Sequence, residues 1–236
     1  MSILQSQLAA NLTRIHERMA QAAEQAGREA SEIKLVGVTK YVNAEFTRML
    51  AASGCVDLGE ARPQALWEKA EALADLPIRW NMIGHLQRNK IRRTLPHVSL
   101  LHSGDSLQLL REVHNVATQL GRAIDTLLEV NISGDANKHG FQPAELLAAL
   151  PELATLSHIR VRGLMTMAAL EGGPERARRD FANLREFRDQ VRRECPPNIE
   201  LAELSMGMSG DFEEAILEGA TLIRVGSALW EGIATS

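Results

Sequence analysis

Ile33-Lys34-Leu35-Val36-Gly37-Val38-Thr39-Lys40 is a short apolar run that closes on a charged side chain. A run of this length and composition is typical of a buried β-strand. Much later, Leu222-Ile223-Arg224-Val225-Gly226-Ser227 forms a second apolar run, which ends in a turn of small residues. We interpret the two runs as the first and last strands of one repeating α/β fold.

Strand-like and helix-like segments alternate between these two runs. The predicted strands are 33–39, 55–59, 78–83, 98–102, 126–131, 159–167, 201–205 and 221–228. The predicted helices are 2–27, 44–52, 63–73, 86–93, 105–120, 143–154, 174–193 and 212–218. Eight strands alternating with helices favour an α/β fold of the (β/α)8 TIM-barrel type, with 2–27 as an extra N-terminal helix on its end or side.

A doubly wound open sheet is the alternative architecture. It is disfavoured because the first strand is not followed by a Gly-x-Gly-x-x-Gly turn. The chain shows no internal repeat, low-complexity tract or linker. We therefore expect residues 1–236 to form a single domain.

Composition narrows the functional classes. The net charge of −4 gives no reason to expect nucleic acid or an anionic membrane as a partner. No window reaches the ~18 apolar residues of a spanning helix, and the N-terminus has no signal-peptide run. Cys55 and Cys195 are the only cysteines, which fits a reducing compartment. We expect a soluble cytoplasmic protein.

Residues suited to one ligand follow several of the predicted strands. In a barrel, the active site lies at the carboxyl ends of the strands, with phosphate often bound after strands seven and eight. Taken alone, a lysine after a strand is usually solvated, but the amine of Lys40 could form a Schiff base with an aldehyde cofactor. Gly207 and Gly226 would let backbone N–H groups approach a phosphate, and Ser209 and Ser227 would add hydroxyl donors. Together these residues predict a pyridoxal 5'-phosphate site.

Two further features fit the same ligand. A helix that begins near Asp211 would direct its N-terminal dipole at the phosphate. Arg224 lies two residues before Gly226, on the same face of the strand, and could reach the pyridine nitrogen.

Six sequence blocks extend this pattern over nearly the whole chain. They are Val-Thr-Lys at 38–40, Gly-Glu-Ala-Arg-Pro-Gln at 59–64, Ile-Gly-His-Leu-Gln-Arg-Asn-Lys at 83–90, Arg-Gly-Leu-Met at 162–165, Leu-Ser-Met-Gly-Met-Ser at 204–209 and Ile-Arg-Val-Gly-Ser at 223–227. In order and content, they resemble the signature blocks of the pyridoxal phosphate homeostasis proteins, which are small relatives of the alanine racemase N-terminal barrel.

The resemblance implies a role for each residue of the site. Lys40 would carry the cofactor as an internal aldimine, and Arg224 would face the pyridine nitrogen. The residues implied to hold the phosphate are Ser209, Gly226 and Ser227. Ser205 and Met208, in the 204–209 block, complete the expected cofactor-binding set. The interval between Ser209 and Arg224 also matches the racemase pattern.

The chain departs from the family pattern at two positions. Val42 stands where many members have a second lysine, and Asn81 stands where many have a histidine. Neither residue is among the expected cofactor contacts. The regulatory role that the family assigns to the second lysine is in doubt here.

The expected chemistry is binding without efficient catalysis. An arginine at the pyridine nitrogen disfavours a protonated ring, and an unprotonated ring is a weak electron sink. The racemases add a tyrosine from a C-terminal β-domain of the partner subunit, whereas this chain ends shortly after strand eight and has one tyrosine, Tyr41. The resemblance implies a role in intracellular vitamin B6 homeostasis, and thereby in amino- and keto-acid balance.

Several alternatives and minor sites stay open at this point. The competing functions are a pyridoxal-phosphate-dependent amino-acid racemase or lyase, a phosphate-binding barrel enzyme without this cofactor, and a pure interaction protein. We predict no metal, because no histidine pair has ligand spacing. Glu60 and Arg62 would form a rim ion pair or contact the cofactor, and Lys138 would gate the pocket. We expect a monomer, with enzymes that require pyridoxal phosphate as possible partners.

Overall fold

Eight parallel strands close into a barrel in the computed structural model, which describes residues 3–135, 138–169, 171–196 and 199–234. The strands are β1 (Lys34–Val38), β2 (Asp57–Glu60), β3 (Arg79–Met82), β4 (Val98–Gly104), β5 (Ile124–Glu129), β6 (Ile159–Met165), β7 (Glu203–Ser205) and β8 (Leu222–Val225). The helices are α1 (Ile3–Gln25), α2 (Ala44–Ala52), α3 (Pro63–Ala72), α4 (Ile91–Thr94), α5 (Leu107–Gln119), α6 (Pro143–Leu153), α7 (Gly173–Glu194) and α8 (Phe212–Leu217). The predicted (β/α)8 barrel with an extra N-terminal helix is confirmed.

The barrel closes where the first strand pairs with the last. Val36 lies opposite Arg224, and Gly37 lies opposite Val225. The chain that leaves β1 therefore runs beside the chain that leaves β8. This pairing brings together the two sequence runs that are farthest apart along the fold.

The buried side chains form two layers. The outer layer, between strands and helices, is a continuous apolar cluster that includes Leu58, Trp80 and Leu128. Successive side chains of a strand point to opposite faces of the barrel. The strand side chains that do not belong to the outer layer therefore face the barrel interior. The interior is unusually polar: the buried polar side chains on this face are Asn81, His102, Glu129, Ser205 and Arg224.

Helix α1 packs on the side of the barrel. Its apolar residues recur at helical spacing and bury Leu8, Leu12, Ile15 and Met19. It contacts α8 and the C-terminal turn, where the Nδ2 of Asn11 donates to the backbone oxygens of Leu229 and Glu231 at 2.9 and 2.8 Å. In the described part of the chain no helix follows β8, so α1 occupies the place that such a helix would take.

Several predicted bounds differ from the structure by about two residues, and two elements differ in kind or extent. The predicted helix 86–93 is a 3-10 turn, Arg88–Lys90, followed by the single turn of α4 and a second 3-10 turn that contains Pro96. The eighth strand ends at Val225, because the carbonyl oxygens of Gly226 and Ser227 accept hydrogen bonds from the N–H groups of Leu229 and Trp230. The residues after β8 therefore form a tight turn at the mouth of the barrel.

Among the described helices, none combines the length and the apolar content that crossing a bilayer requires.

The docking of α1 gives a test of the fold. Replacing Asn11 by Ala should lower the free energy of unfolding by about 1–3 kcal/mol, because one buried and one part-buried backbone oxygen lose their donor. Urea unfolding followed by circular dichroism measures this. Asn115→Ala, at an exposed position of α5, is the matched control and should have little effect. Equal effects of the two substitutions would contradict the assigned role of Asn11.

Candidate cofactor-binding site

Lys40 lies in the turn after β1, at the mouth of the barrel. It is half-buried, and its ammonium lies 4.8 Å from the centre of the Tyr41 ring. It lines an open cleft together with Tyr41, Asn43 and Arg62. A lysine stem has four flexible carbons, so the amine can be redirected while the backbone stays in place.

The backbone around Lys40 is held by two cationic side chains, of which Lys69 is buried and Arg62 is exposed. Lys69 Nζ donates to the carbonyl oxygen of Thr39 at 2.7 Å, and Arg62 Nη2 donates to that of Lys40 at 3.1 Å. The hydroxyl of Thr39 donates to Glu60, which also forms a buried ion pair with Lys69. The strand end that carries the amine is therefore firmly anchored. The rim ion pair considered for Glu60 and Arg62 is wrong, because Glu60 pairs with Lys69 instead. Their contact with the cofactor stays a prediction.

Two backbone N–H groups in the turn after β8 converge on a single oxygen atom. The N–H groups of Gly226 and Ala228 donate to Ser209 Oγ at 3.1 and 3.3 Å. Gly226 does not have a positive φ, and a Cβ there would lie 3.4 Å from that of Val38, so the fold itself does not require glycine. Ser227 is exposed in the same turn. Converging N–H groups beside serine hydroxyls are the donor set that a phosphate oxygen needs.

The segment before α8 supports this turn. Gly207 has a φ of +89°, and a Cβ there would lie 2.6 Å from that of Ala215, so only glycine fits. Its carbonyl oxygen accepts a hydrogen bond from the N–H of Arg224 at 3.0 Å. Met208 lies partly exposed at the rim, and its N–H donates to the carboxylate of Asp211. Because α8 has only six residues, its dipole adds little to the expected phosphate site.

Arg224 is buried in the barrel interior, with 4% of its surface exposed. Its Nη1 donates to Ser205 Oγ, and its Nη2 donates to the carbonyl oxygen of Thr166 at 2.8 Å. Burial lowers the pKa of the guanidinium to about 10, against the opposing effect of Glu129 and Asp211. It therefore stays charged at neutral pH and can act only as a donor.

His102 is a buried interior residue that the sequence analysis counted only among the scattered histidines. Its Nδ1 lies 2.9 Å from Ser205 Oγ, and its Nε2 lies 3.0 Å from Asn81 Oδ1. Burial, followed by the charge of Arg224, holds its pKa well below the usual value, so the ring is neutral. Ser205, predicted as a cofactor contact, is fully buried between this ring and Arg224. A histidine inside an apolar strand was the signal that could have revealed this network.

Glu129 is the second interior residue that the sequence did not reveal. Its neighbour Leu128 packs in the outer layer, so strand alternation directs Glu129 inward. Burial raises its pKa to about 7; the charge of Asp105 adds to this effect and that of Arg224 opposes it. A carboxyl group that titrates near neutrality faces the same space as Arg224.

Three potential metal ligands meet at the mouth from separate loops. His85 Nδ1 lies 2.7 Å from Asp105 Oδ2, and the His85 ring stacks on that of His139 at 4.3 Å. Their ligand atoms all lie within 4.8 Å of one another, so these three side chains could hold a metal ion. The prediction of no metal rested on sequence spacing, which cannot report contacts between residues so far apart in the chain.

Lys138 ties two loops of the mouth together. Its Nζ donates to Ser133 Oγ at 3.1 Å and to the carbonyl oxygens of Met167 and Ala168 at 3.1 and 2.7 Å. Val42, at the position of the second family lysine, is buried and apolar. Lys138 thus joins the loops after β5 and β6, and its gating role stays a prediction.

Comparison with known proteins identifies the family of the chain. The sequence pattern of the alanine racemase N-terminal domain matches residues 6–233. A pyridoxal phosphate homeostasis protein of Aquifex aeolicus is 41% identical, over 93% of this chain and 95% of its own length. Another protein of that name, from Pseudomonas aeruginosa, is 37% identical over 95% of each chain.

Solved structures extend the comparison. PipY of Synechococcus elongatus, with pyridoxal phosphate bound, superimposes with a TM-score of 0.82 at 37% identity, over 91% of this chain and 99% of PipY. An alanine racemase of Clostridium difficile superimposes with a TM-score of 0.73, over 95% of this chain and 56% of the racemase. At 18% identity, that likeness concerns the fold alone. The chain belongs to the alanine racemase N-terminal domain family, and within it to the pyridoxal phosphate homeostasis proteins.

Proposed function

We propose that this chain binds pyridoxal 5'-phosphate at the mouth of its barrel and acts in vitamin B6 homeostasis. The observation that carries the proposal is the pairing of β1 with β8. It brings the strand end that bears Lys40 beside a turn whose N–H groups converge on one oxygen, two residues after the buried Arg224. Amine, phosphate donors and ring donor are the three parts that this cofactor needs.

Each residue of the site then has a defined task. The amine of Lys40 condenses with the aldehyde carbon to form an internal aldimine, and one water molecule leaves. The N–H of Gly226 and the hydroxyls of Ser209 and Ser227 bind the phosphate. Arg224 donates to the pyridine nitrogen. Met208 borders the ring at the rim, and Ser205 lies behind Arg224.

The role that we propose is to hold and release the cofactor without efficient turnover of amino acids. Arg224 is a permanent donor, so the pyridine nitrogen that it contacts stays unprotonated and withdraws electrons weakly. Tyr41, the tyrosine adjacent to Lys40, is 75% exposed. Relatives at 37–41% identity carry the name of homeostasis proteins.

A pyridoxal-phosphate-dependent amino-acid racemase or lyase is the second candidate, and one observation favours it. Glu129 faces the barrel interior near Arg224, and burial raises its pKa to about 7, a value suited to a general acid or base. Racemisation of alanine at ordinary enzymatic rates, lost in both Lys40→Ala and Glu129→Gln, would support this candidate. Without such turnover, the binding function stands.

The proposal also covers the location, the oligomeric state and the partners of the protein. We propose a cytoplasmic monomer that passes its cofactor to enzymes that require it. The exposed apolar side chains at the mouth support contact with an acceptor protein: Tyr41, Met167 and Met208 are 75, 37 and 37% exposed.

The first test concerns the covalent link. Purified protein incubated with pyridoxal phosphate should develop a visible absorption band, and borohydride should fix the adduct on Lys40. Lys40→Ala should abolish both signals. Lys34→Ala, at the first residue of β1, is the matched control and should retain them. A protein that stays colourless and unmodified in excess cofactor would refute the binding function.

The second test concerns the phosphate. Ser227→Asp adds a negative charge at the exposed turn and should weaken binding of pyridoxal phosphate about tenfold or more, because like charges repel. Binding of pyridoxal, which has no phosphate, should change little. Ser227→Asn has the same shape without the charge and is the control. An equal loss of affinity for both vitamers would show that the phosphate lies elsewhere.

The third test uses the pH dependence of stability. Since the pKa of Glu129 is about 7 when folded and 4.5 in its unperturbed state, folding loses stability as pH rises through this window. In cofactor-free protein, Glu129→Gln should therefore gain up to about 3 kcal/mol relative to the parent between pH 4.5 and 8. The exposed Glu175→Gln is the control. A difference that stays constant with pH would contradict the raised pKa.

A further inference from the structure

A row of hydrogen-bonded side chains crosses the barrel interior from β8 to β3. Arg224 contacts Ser205, Ser205 contacts His102, and His102 contacts Asn81. All four are at most 4% exposed. Each comes from a different strand, and His102 and Ser205 are far apart in sequence.

The direction of the hydrogen bonds can be assigned from one end. Asn81 Nδ2 donates to the carbonyl oxygens of Arg79 and Leu58, at 3.0 and 3.4 Å, so its Oδ1 is the atom that faces His102. Oδ1 can only accept, hence the Nε2 of His102 carries a proton. The Nδ1 of this neutral ring is then an acceptor.

The assignment continues to Arg224. Because Nδ1 of His102 can only accept, the hydroxyl of Ser205 donates to it. The oxygen of Ser205 is then available as the acceptor for Nη1 of Arg224. Each hydrogen bond in the row therefore has a single assigned donor and acceptor. The other arm of the guanidinium, Nη2, donates to the carbonyl oxygen of Thr166.

We propose that Asn81, His102 and Ser205 are positioning residues that hold the guanidinium of Arg224 in one orientation toward the ring of the bound cofactor. This inference rests on the proposed function. It assigns Ser205 a role through Arg224, and it adds two residues that do not touch the cofactor. A planar guanidinium with two arms anchored cannot turn away from the ring nitrogen, which keeps its donors preorganised.

The test compares variants of the full chain. Ser205→Ala removes the acceptor of Nη1, and His102→Leu leaves Ser205 without its own acceptor. Both should weaken pyridoxal phosphate binding roughly tenfold, the scale of one lost buried hydrogen bond. They should also shift the visible absorption maximum, because the contact to the ring changes. Borohydride should still fix the cofactor on Lys40.

A conservative variant separates the loss of hydrogen bonds from the change in side-chain volume. The amide of Gln can accept from Ser205 and donate to Asn81, so His102→Gln should restore affinity and absorption maximum toward the parent values. Thr126→Val removes a buried barrel hydroxyl that bonds a backbone oxygen outside the row. It is the matched control, and its effect should be confined to the melting temperature.

A double-mutant cycle completes the test. In an Arg224→Lys background, Ser205→Ala should cause no further loss of affinity, since its effect passes through the arginine. Additive losses would overturn the inference, as would variants with lower melting temperatures but parental affinity and absorption. Failure of the parent protein itself to take up pyridoxal phosphate would instead remove the proposed function, so the two failures are distinguishable.

Discussion

The pairing of β1 with β8 is the constraint on which the site depends. The residues that follow these strands are separated by most of the chain, and only barrel closure makes them neighbours. It places the anchored strand end of Lys40 beside the turn of Gly226 and Ser227. The same register puts Arg224 opposite Val36, facing the barrel interior rather than a helix. A slip by one residue would reverse these faces and remove the arginine from the interior.

The barrel interior is where this chain departs from a simple packed core. TIM barrels commonly fill their interior with branched apolar side chains. Here a neutral histidine, an asparagine and a serine occupy interior positions beside a charged arginine. Buried polar groups are tolerated only when they are satisfied, and among the described residues no fully buried side-chain nitrogen or oxygen atom lacks a hydrogen-bond partner. The hydrogen bonds of the interior thus hold the side chain of Arg224 in one orientation. Between β2 and α3, the buried pair of Glu60 and Lys69 likewise fixes the backbone at Thr39, which precedes Lys40.

Much of the fold and part of the candidate site could be predicted from the sequence. Strand order, helix positions and the barrel followed from apolar runs and turn residues. Lys40, Ser209 and Gly226 were selected as candidate site residues because they follow strands. The prediction was least accurate at 86–93, where Pro96 and the short turn around α4 replace a regular helix. His102, Glu129 and the cluster of His85, Asp105 and His139 were missed. Their roles depend on which side chains face the interior and on which loops meet, and neither is encoded in local spacing.

The sequence by itself determined the fold class and the family, because hydrophobic periodicity and short blocks around strand ends are local properties. It also determined the types of group that the mouth presents: an amine, an arginine and two turns of small residues. Only the tertiary structure decided how they are used. The charge partner of Glu60, the direction of hydrogen bonds from Asn81 to Arg224 and the raised pKa of Glu129 all follow from burial and from contacts between distant strands. These depend on distance in space, which a linear pattern does not contain.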